Sequence, residues 1–301
     1  MIPDLFDRML LRRRRRRALA LGPATFLIER VADELADRLA AVLRHFEIAA
    51  DIGTPTAAVR QILAGNTAVG TLIALDSGDG ADARCAAETA LRVVADEEVL
   101  PFADESLDLV VSGLALQAVN DLPGALVQIR RALKPDGLFL AALLGGGTLA
   151  ELRQSFAEAE TEIEGGVSPR VFPFADVREM GMLLQRAGFA LPVTDIDRLT
   201  VRYGSPFALM QDLRRMGATN VLQERRRTPL RRATLMRMAE IYSERFGDPD
   251  GKVRATFEIV WLSGWAPHPD QQQPLRPGSA RMRLADALGT REVQAGEKAK
   301  P

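Results

Sequence analysis

The sequence contains few of the residues from which disulfides and metal sites are built. Its 301 residues include one cysteine, Cys85, and two histidines, His45 and His268. One cysteine cannot form an intramolecular disulfide, and neither histidine has a second histidine or cysteine at a spacing suited to zinc. The sequence therefore argues against a disulfide-stabilised domain and a zinc hydrolase, and we expect no metal site.

Net charge and long apolar runs are also absent. Lys plus Arg (39) balances Asp plus Glu (40) to give −1, so no overall field gathers nucleic acid or acidic substrates. No run approaches the about 20 apolar residues that span a bilayer. The arginines at 12–17 precede an apolar stretch that Gly22 and Pro23 interrupt, which is too short for a secretory signal. Because Asp4 and Asp7 also disfavour an organellar transit peptide, we expect a cytoplasmic protein.

Alternating apolar and amphipathic segments fill the first half of the chain. Apolar residues recur every three or four positions after Phe26, which predicts a helix, and a strand-like run then ends at Gly53. The same alternation continues to residue 164 and predicts a parallel sheet with helices on both faces. Further strands are predicted at 71–76, 91–95, 107–112 and 138–144, and helices at 26–46, 59–63, 79–90, 122–133, 148–164 and 175–187. A turn is predicted at 134–137.

The second half breaks this alternation. Two extended stretches, at 189–203 and 253–263, flank a basic helical region at 206–246, which we interpret as a lid-like helical insertion before the last strand. The tail is predicted to contain a short helix near 280–288 and a disordered polar end. The predicted organisation is a basic helical extension (1–45), a Rossmann-like α/β domain (46–270) and a tail (271–301).

Acidic residues follow the first three predicted strands, where ligands bind in parallel sheets. A glycine after the first strand lets the backbone approach a nucleotide closely. A carboxylate after the second strand can accept hydrogen bonds from both ribose hydroxyls, and one after the third strand can accept a hydrogen bond from the adenine amino group. Each carboxylate alone is as often a helix N-cap, so the ordered set carries the prediction. The predicted cofactor-binding residues are Asp51, Gly53, Thr54, Asp76, Asp96, Glu97 and Ser112.

Several motifs resemble one enzyme superfamily. The segment 96–112, DEEVLPFADESLDLVVS, closely resembles the pattern after the third strand of class I S-adenosylmethionine (SAM)-dependent methyltransferases, as does LKPDGLF at 133–139. Other motifs are similar to the branch that contains the mitochondrial complex I assembly factor 5 and its bacterial relatives, near malonyl-carrier-protein methyltransferases. These motifs are LQAVNDLP at 116–123, SPR at 168–170, LQRAGF at 184–189, RRMGATN at 214–220 and GWAPH at 264–268.

The resemblance implies a seven-stranded Rossmann-like methyltransferase fold, a SAM site, and a role in modifying or assembling a respiratory-chain subunit. Methyl transfer does not follow automatically, because the assembly factor itself is regarded as an arginine hydroxylase. No residue is assigned a catalytic role. The candidate substrate residues are Gln117, Asn120, Arg170 and Trp265 in these motifs, together with Tyr203, one of the few aromatic residues.

The sequence departs from the family pattern at the cofactor loop. Family members carry glycines where Pro55 and Ala57 stand, and His-Trp where this chain has Gln117 and Ala118. Proline removes a backbone N–H, and the β-carbon of alanine narrows the space for a ligand, so we expect weakened SAM binding. The alternative function is a catalytically degenerate assembly or scaffolding factor. A nicotinamide-linked oxidoreductase is disfavoured, since the first turn lacks G-x-G-x-x-G.

The insertion contains a cluster of arginines with two interpretations. A solvated helix face is the usual one, and a surface for a protein partner is the other. Aromatic residues do not alternate with these arginines, which argues against nucleic acid because stacking surfaces are missing. The arginines are Arg214, Arg215, Arg225, Arg226, Arg227, Arg231, Arg232 and Arg237.

Overall fold

A computed structural model describes residues 4–77, 90–172, 177–271, 279 and 282–290. They fall into two compact units, Met1–Pro267 and His268–Pro301. The second unit contains one short helix, α9 (Leu284–Ala287), within the range predicted for a tail helix. The helix predicted at 79–90 lies outside the described residues, apart from its last residue, Ala90. Most of the polar tail also lies outside them.

A seven-stranded sheet forms the centre of the first unit. Its strand order is β3-β2-β1-β4-β5-β7-β6, in which β7 runs antiparallel to both of its neighbours and the other pairs are parallel. This confirms the predicted Rossmann-like methyltransferase sheet. The strands are β1 (Phe46–Ile52), β2 (Val69–Asp76), β3 (Leu91–Val94), β4 (Leu107–Gly113), β5 (Leu133–Leu144), β6 (Ala190–Tyr203) and β7 (Val253–Trp265).

Helices cover both faces of this sheet. Alternate strand residues point to opposite sides, so Ala49 and Leu109 join one apolar core while Ala50 and Val110 join the other. Helices α2, α3, α5, α7 and α8 contribute to the first core, and α4 and α6 to the second. The helices of this unit are α1 (Arg8–Ala20), α2 (Phe26–Ala40), α3 (Ala58–Gly65), α4 (Leu122–Ala132), α5 (Ala150–Glu164), α6 (Val177–Arg186), α7 (Pro206–Arg215) and α8 (Arg232–Phe246).

Two segments differ clearly from the sequence prediction. Helix α2 ends at Ala40, because the apolar residues that continue its spacing belong to β1 or to the connection, where Leu43 is exposed. The turn predicted at 134–137 is wrong, since this segment is part of β5. Asp136 has a turn-like φ of 65°, but its N–H donates to the carbonyl of Ala266 and keeps the segment paired.

The helical insertion lies where it was predicted, between β6 and β7, and consists of α7 and α8. The chain that joins these helices pairs with the N-terminal segment: the Asp7 N–H donates to Val221 at 2.8 Å, and the Gln223 N–H donates to Leu5 at 2.9 Å. The N-terminal segment is thereby fixed beside the insertion. Among the described helices, none combines the length and apolar character needed to cross a bilayer.

Candidate functional site

The end of β1 forms a fully buried polar cluster. The Asp51 carboxylate is 0% exposed, accepts a hydrogen bond from the Thr54 hydroxyl, and lies 3.1 Å from Nη1 of Arg60. The Thr54 Oγ1 also accepts from the Gly113 N–H at 3.0 Å, and Ser112 Oγ donates to the carbonyl of Ile52 at 2.8 Å. These side chains hold β1 against β4. Three of the residues predicted to bind the cofactor, Asp51, Thr54 and Ser112, therefore fix the loop that follows β1.

Arg60 was not predicted as part of the site. It lies on α3, is 3% exposed, and supplies the positive charge for Asp51. The pKa of Asp51 is raised to about 6, mainly by burial and to a smaller extent by the neighbouring Asp76, against the opposing effects of Arg60 and Thr54. The signal in the sequence was an arginine next to Val59 on the apolar face of a short helix, where an unpaired charge would be costly.

Asp76 and Asp96 lie at the same edge of the sheet as Asp51. Asp76 ends β2 beside β1, and its carboxylate accepts from the guanidinium of Arg92 at 3.4 Å. Asp96 follows β3, the next strand along the edge. The topology therefore brings together the three carboxylates whose order carried the cofactor prediction.

The N-terminal helix α1 places arginines on the acidic residues that follow β3. Arg8 donates to Asp96 Oδ1 at 2.8 Å and to Glu97 Oε2, and Arg12 donates to the second oxygen of Asp96. Arg15 lies 3.3 Å from Glu97 Oε1. Burial disfavours a charged Arg8, but Glu97 and Asp96 outweigh it and raise the pKa of Arg8 above its ordinary value. A ligand that binds these carboxylates must displace α1 arginines.

Glu97 also fills the space above the loop glycine. Gly53 adopts a φ of 69°, and a β-carbon built on it would lie 2.5 Å from Glu97 Oε1. Glu97 is itself 1% exposed. The side chain therefore occupies the surface of Gly53 that a nucleotide ligand would contact, and the residues in this arrangement do not fit an adenosyl group unless Glu97 moves.

An apolar pocket of about 100 Å³ lies beside this cluster, between α1, α2 and the carboxyl edge of the sheet. Its few polar lining groups include Arg15 and Gln117. The Gln117 amide nitrogen donates to Leu114 at 2.8 Å, whereas its buried Oε1 has no hydrogen-bond partner among the described residues. Gln117 is thus the one candidate substrate residue that presents an unused acceptor next to a cavity within the described part of the chain.

Asn120 and Tyr203 are surrounded by groups of the chain that hold the fold together. Asn120 exchanges two hydrogen bonds with the backbone of Phe6, at 2.7 and 3.3 Å, and so fixes the N-terminal segment. Tyr203 ends β6 within the apolar core, where burial raises its pKa above the ordinary value and its hydroxyl has no partner among the described residues.

Trp265 lies at the opposite edge of the sheet from the carboxylates. It pairs with Leu138 near the start of β5, about 20 Å along the strand from Leu144 at the carboxyl end. Its ring lies 5.5 Å from the Arg44 guanidinium. The structure therefore does not bring Trp265 together with the carboxylates. The reason is that β7 is antiparallel, so residues that follow it emerge at the amino ends of the parallel strands.

Arg170 binds a carboxylate of its own chain. Its Nε and Nη2 lie 2.7 and 2.6 Å from Oε1 of Glu160 on α5. The Ser168 N–H and hydroxyl also donate to Glu160, which is 0% exposed. Burial opposes ionisation, but these donors outweigh it and lower the pKa of Glu160. Arg170 and Glu160 together hold the loop that follows α5.

We expect Glu160→Gln to lower the free energy of unfolding by about 2–3 kcal/mol at neutral pH, because an amide cannot replace a buried, multiply bonded carboxylate. The exposed neighbour Glu162 on the same helix is the control, and Glu162→Gln should leave stability nearly unchanged. Since the folded pKa of Glu160 is lowered, its stabilisation is present above its ordinary pKa and lost as pH falls. Urea denaturation at about pH 7 and about pH 4 measures both effects, and a deficit that does not shrink at the lower pH would contradict this account.

Several arginines of the insertion are paired within the chain. Arg225 lies 3.0 Å from Asp7, and Arg226 pairs with Glu164. Arg237 lies 2.6 Å from Glu162. Replacing Arg225 and Arg226 would therefore loosen the attachment of the N-terminal segment and α5, so these residues are unsuited to testing partner binding.

Comparison with known proteins identifies the family. A model of the methyltransferase domain matches residues 50–141. The mitochondrial arginine-hydroxylase NDUFAF5 of Danio rerio is 38% identical over 98% of this chain and 92% of that protein, and that of Homo sapiens is 40% identical over 94% and 83%. A malonyl-[acyl-carrier protein] O-methyltransferase of Xylella fastidiosa (strain M23) is 40% identical over 58% of this chain and 57% of that protein.

Solved structures agree on the fold. A methyltransferase-like protein from Bacillus halodurans C-125 superposes with a TM-score of 0.55 at 15% identity, covering 78% of this chain and 98% of that one. The YcgJ protein of Bacillus subtilis gives 0.52 at 15% identity over 79% and 98%. At this identity the similarity establishes only the architecture. The relatives that match along nearly the whole chain show the family: the chain belongs to the NDUFAF5 family of proteins with the class I methyltransferase fold.

Proposed function

We propose that this chain is a SAM-binding protein of the methyltransferase fold that modifies a protein or carrier substrate and assists the assembly of respiratory complex I. The observation that carries the proposal is the convergence of Asp51, Asp76 and Asp96 at one sheet edge beside an apolar pocket. Parallel sheets bind nucleotide ligands at this edge. Residues Asp76 and Asp96 would hold the adenosyl group once α1 has released Asp96 and Glu97 has moved away from Gly53.

The substrate side of the proposal rests on the guanidinium groups at the site. Glu97 already holds Arg8 and Arg15 next to the pocket, so this carboxylate has the charge to hold an arginine side chain from another protein while Asp96 holds the adenosyl group. The relatives that match along nearly the whole chain are named arginine-hydroxylases. We therefore propose a protein arginine as the substrate. The mass of the modified peptide distinguishes methylation from hydroxylation.

Titration calorimetry with SAM tests the cofactor assignment. We expect weak binding by the wild-type chain and about tenfold tighter binding by Arg8→Ala, because Arg8 is the arginine that pairs with both Asp96 and Glu97. Arg13→Ala, at an exposed position on the same helix, should behave like the wild type. Asp76→Ala should weaken binding in both backgrounds. If affinity stays the same in Arg8→Ala, α1 does not compete with the cofactor.

One observation favours the alternative, an assembly or scaffolding factor without SAM. Glu97 covers Gly53, and each of the four carboxylates predicted to bind the cofactor is paired within the chain. In cells that lack this protein, the Asp76→Ala variant distinguishes the two functions. Restored complex I assembly would favour the scaffold, and failed assembly by a folded variant would favour the enzyme. The NDUFAF5 relatives are mitochondrial by name, and a cytoplasmic location stays a prediction for this chain.

A further inference from the structure

A basic groove lies next to the apolar pocket, between α1, α7 and residues 169–172. Its volume is about 370 Å³. The floor is apolar and includes Leu152, Phe156 and Met210. The rim carries six arginines: Arg14, Arg17, Arg170, Arg214, Arg225 and Arg226. A surface that is apolar at its base and cationic at its edge fits a ligand with both kinds of group.

Half of these arginines are neutralised within the chain. Arg170, Arg225 and Arg226 each form an ion pair with a carboxylate. Their partners are, in that order, Glu160, Asp7 and Glu164. These three ion pairs are part of the fold, so the positive charges of their arginines are already neutralised and do not attract a ligand.

The other three arginines have no ion pair with any described carboxylate. Arg17 and Arg214 are exposed, on α1 and α7 respectively. Arg14 is partly buried, and its guanidinium donates only to the carbonyl of Asn220 among the described residues. Burial lowers the pKa of Arg14, and the positive charges of Arg225 and Arg13 also lower it, against a smaller opposing effect of Asp7. An anionic group between Arg14, Arg17 and Arg214 would relieve this repulsion.

We propose that the groove binds an extended acidic segment of a partner protein, with carboxylates on Arg14, Arg17 and Arg214 and an apolar side chain on the floor. A free phosphate would leave the floor without a partner. Nucleic acid would need exposed aromatic faces for stacking, whereas Phe156 and Phe172 are both buried. An extended segment with alternating acidic and apolar residues satisfies both parts of the groove, because its side chains point alternately to opposite sides.

The groove is continuous with the pocket. Leu149, Phe172 and Leu213 line both, so a segment bound in the groove could extend a side chain towards Gln117. The inference deepens the protein-substrate part of the proposed function, and it does not depend on SAM. The groove would select the substrate by residues that flank the modified one.

Fluorescence anisotropy with the full chain tests the groove, using a fluorescein-labelled peptide in which glutamate and leucine alternate. The double variant Arg17→Glu/Arg214→Glu should bind it about tenfold more weakly or worse, because attraction becomes repulsion. Arg227→Glu, at an exposed position outside the groove, is the matched control and should bind like the wild type. A glutamine–leucine peptide should bind weakly to the wild type, the double variant and the control. Added salt should weaken the binding of the glutamate–leucine peptide to the wild type.

Several results would overturn the proposal: no binding of the glutamate–leucine peptide, equal losses in the double variant and the control, or displacement of the peptide by inorganic pyrophosphate at comparable concentration. The last would identify a phosphate site. SAM calorimetry on the double variant separates this proposal from the cofactor assignment. Unchanged SAM affinity together with lost peptide affinity supports the groove, whereas parallel loss of both would show a damaged fold and refute a specific groove.

Discussion

Arg60→Met should lower the free energy of unfolding by about 3–5 kcal/mol at neutral pH, one of the largest effects expected from a single replacement in this chain. The reason is that Asp51 is completely buried and, among the described residues, would retain only the Thr54 hydroxyl as a side-chain partner. Methionine keeps much of the volume of the arginine stem, so the loss reports on charge more than on packing. Urea denaturation measures this loss, provided that the slope of the unfolding free energy against urea concentration is the same in both proteins.

The double variant Asp51→Asn/Arg60→Met is the control for this pair. It buries no charge, and replacing a whole buried ion pair is far less costly than removing one partner. We expect the double variant to recover at least half of the stability lost in Arg60→Met. If the two single losses simply add in the double variant, the residues are not coupled and the ion pair does not explain the effect.

The pH dependence gives a second test of the same pair. Because the folded pKa of Asp51 is raised to about 6, its favourable contribution is fully present below its ordinary pKa and is lost as pH rises through 6. A protonated Asp51 carries no charge, so its burial does not require the positive charge of Arg60. The deficit of Arg60→Met relative to the wild type should therefore be large at about pH 7.5 and smaller at about pH 5. An equal deficit at both values would mean that Asp51 stays ionised throughout.

The sequence was sufficient to predict the sheet, because buried strands and amphipathic helices differ in their local period. It did not predict the partners of the site residues. A carboxylate after a strand looks the same whether it meets a ligand or an arginine, and Arg8 reaches Asp96 across 88 positions of sequence. Trp265 lies apart from these carboxylates for a related reason. The rule that ligands meet residues after a strand assumes a parallel strand, and only the three-dimensional pairing shows that β7 is reversed.

Glu97 shows a further limit of sequence reasoning. Its position after β3 favoured a ligand-facing carboxylate, yet the structure places it over Gly53 and under the arginines of α1. The obstruction results from contacts among three segments that are far apart in the chain. Weak SAM binding therefore has two candidate causes in this protein, the altered loop and the covering side chain, and they call for separate variants.

Restoring the loop with Pro55→Gly and Ala57→Gly together should tighten SAM binding by about two orders of magnitude, because a recovered N–H and a removed β-carbon contribute about 2–3 kcal/mol. Pro55 lines the pocket, while Ala57 precedes α3 with an ordinary helical φ of −77°, so glycine there provides space and does not relieve strain. Calorimetry measures the gain, and Asp76→Ala in the restored background should abolish it.

Glu97→Ala in the unaltered loop separates the two causes. If the covering carboxylate is the main barrier, this variant should gain more affinity for SAM than the glycine pair, and combining the changes should add little. If the loop is the barrier, Glu97→Ala alone should gain little, because the missing N–H at Pro55 remains missing. Tight binding by the unmodified chain would show that α1 and Glu97 move aside readily and that the loop is not damaged. Absence of binding in every variant would leave the sheet edge without a cofactor and favour the scaffold.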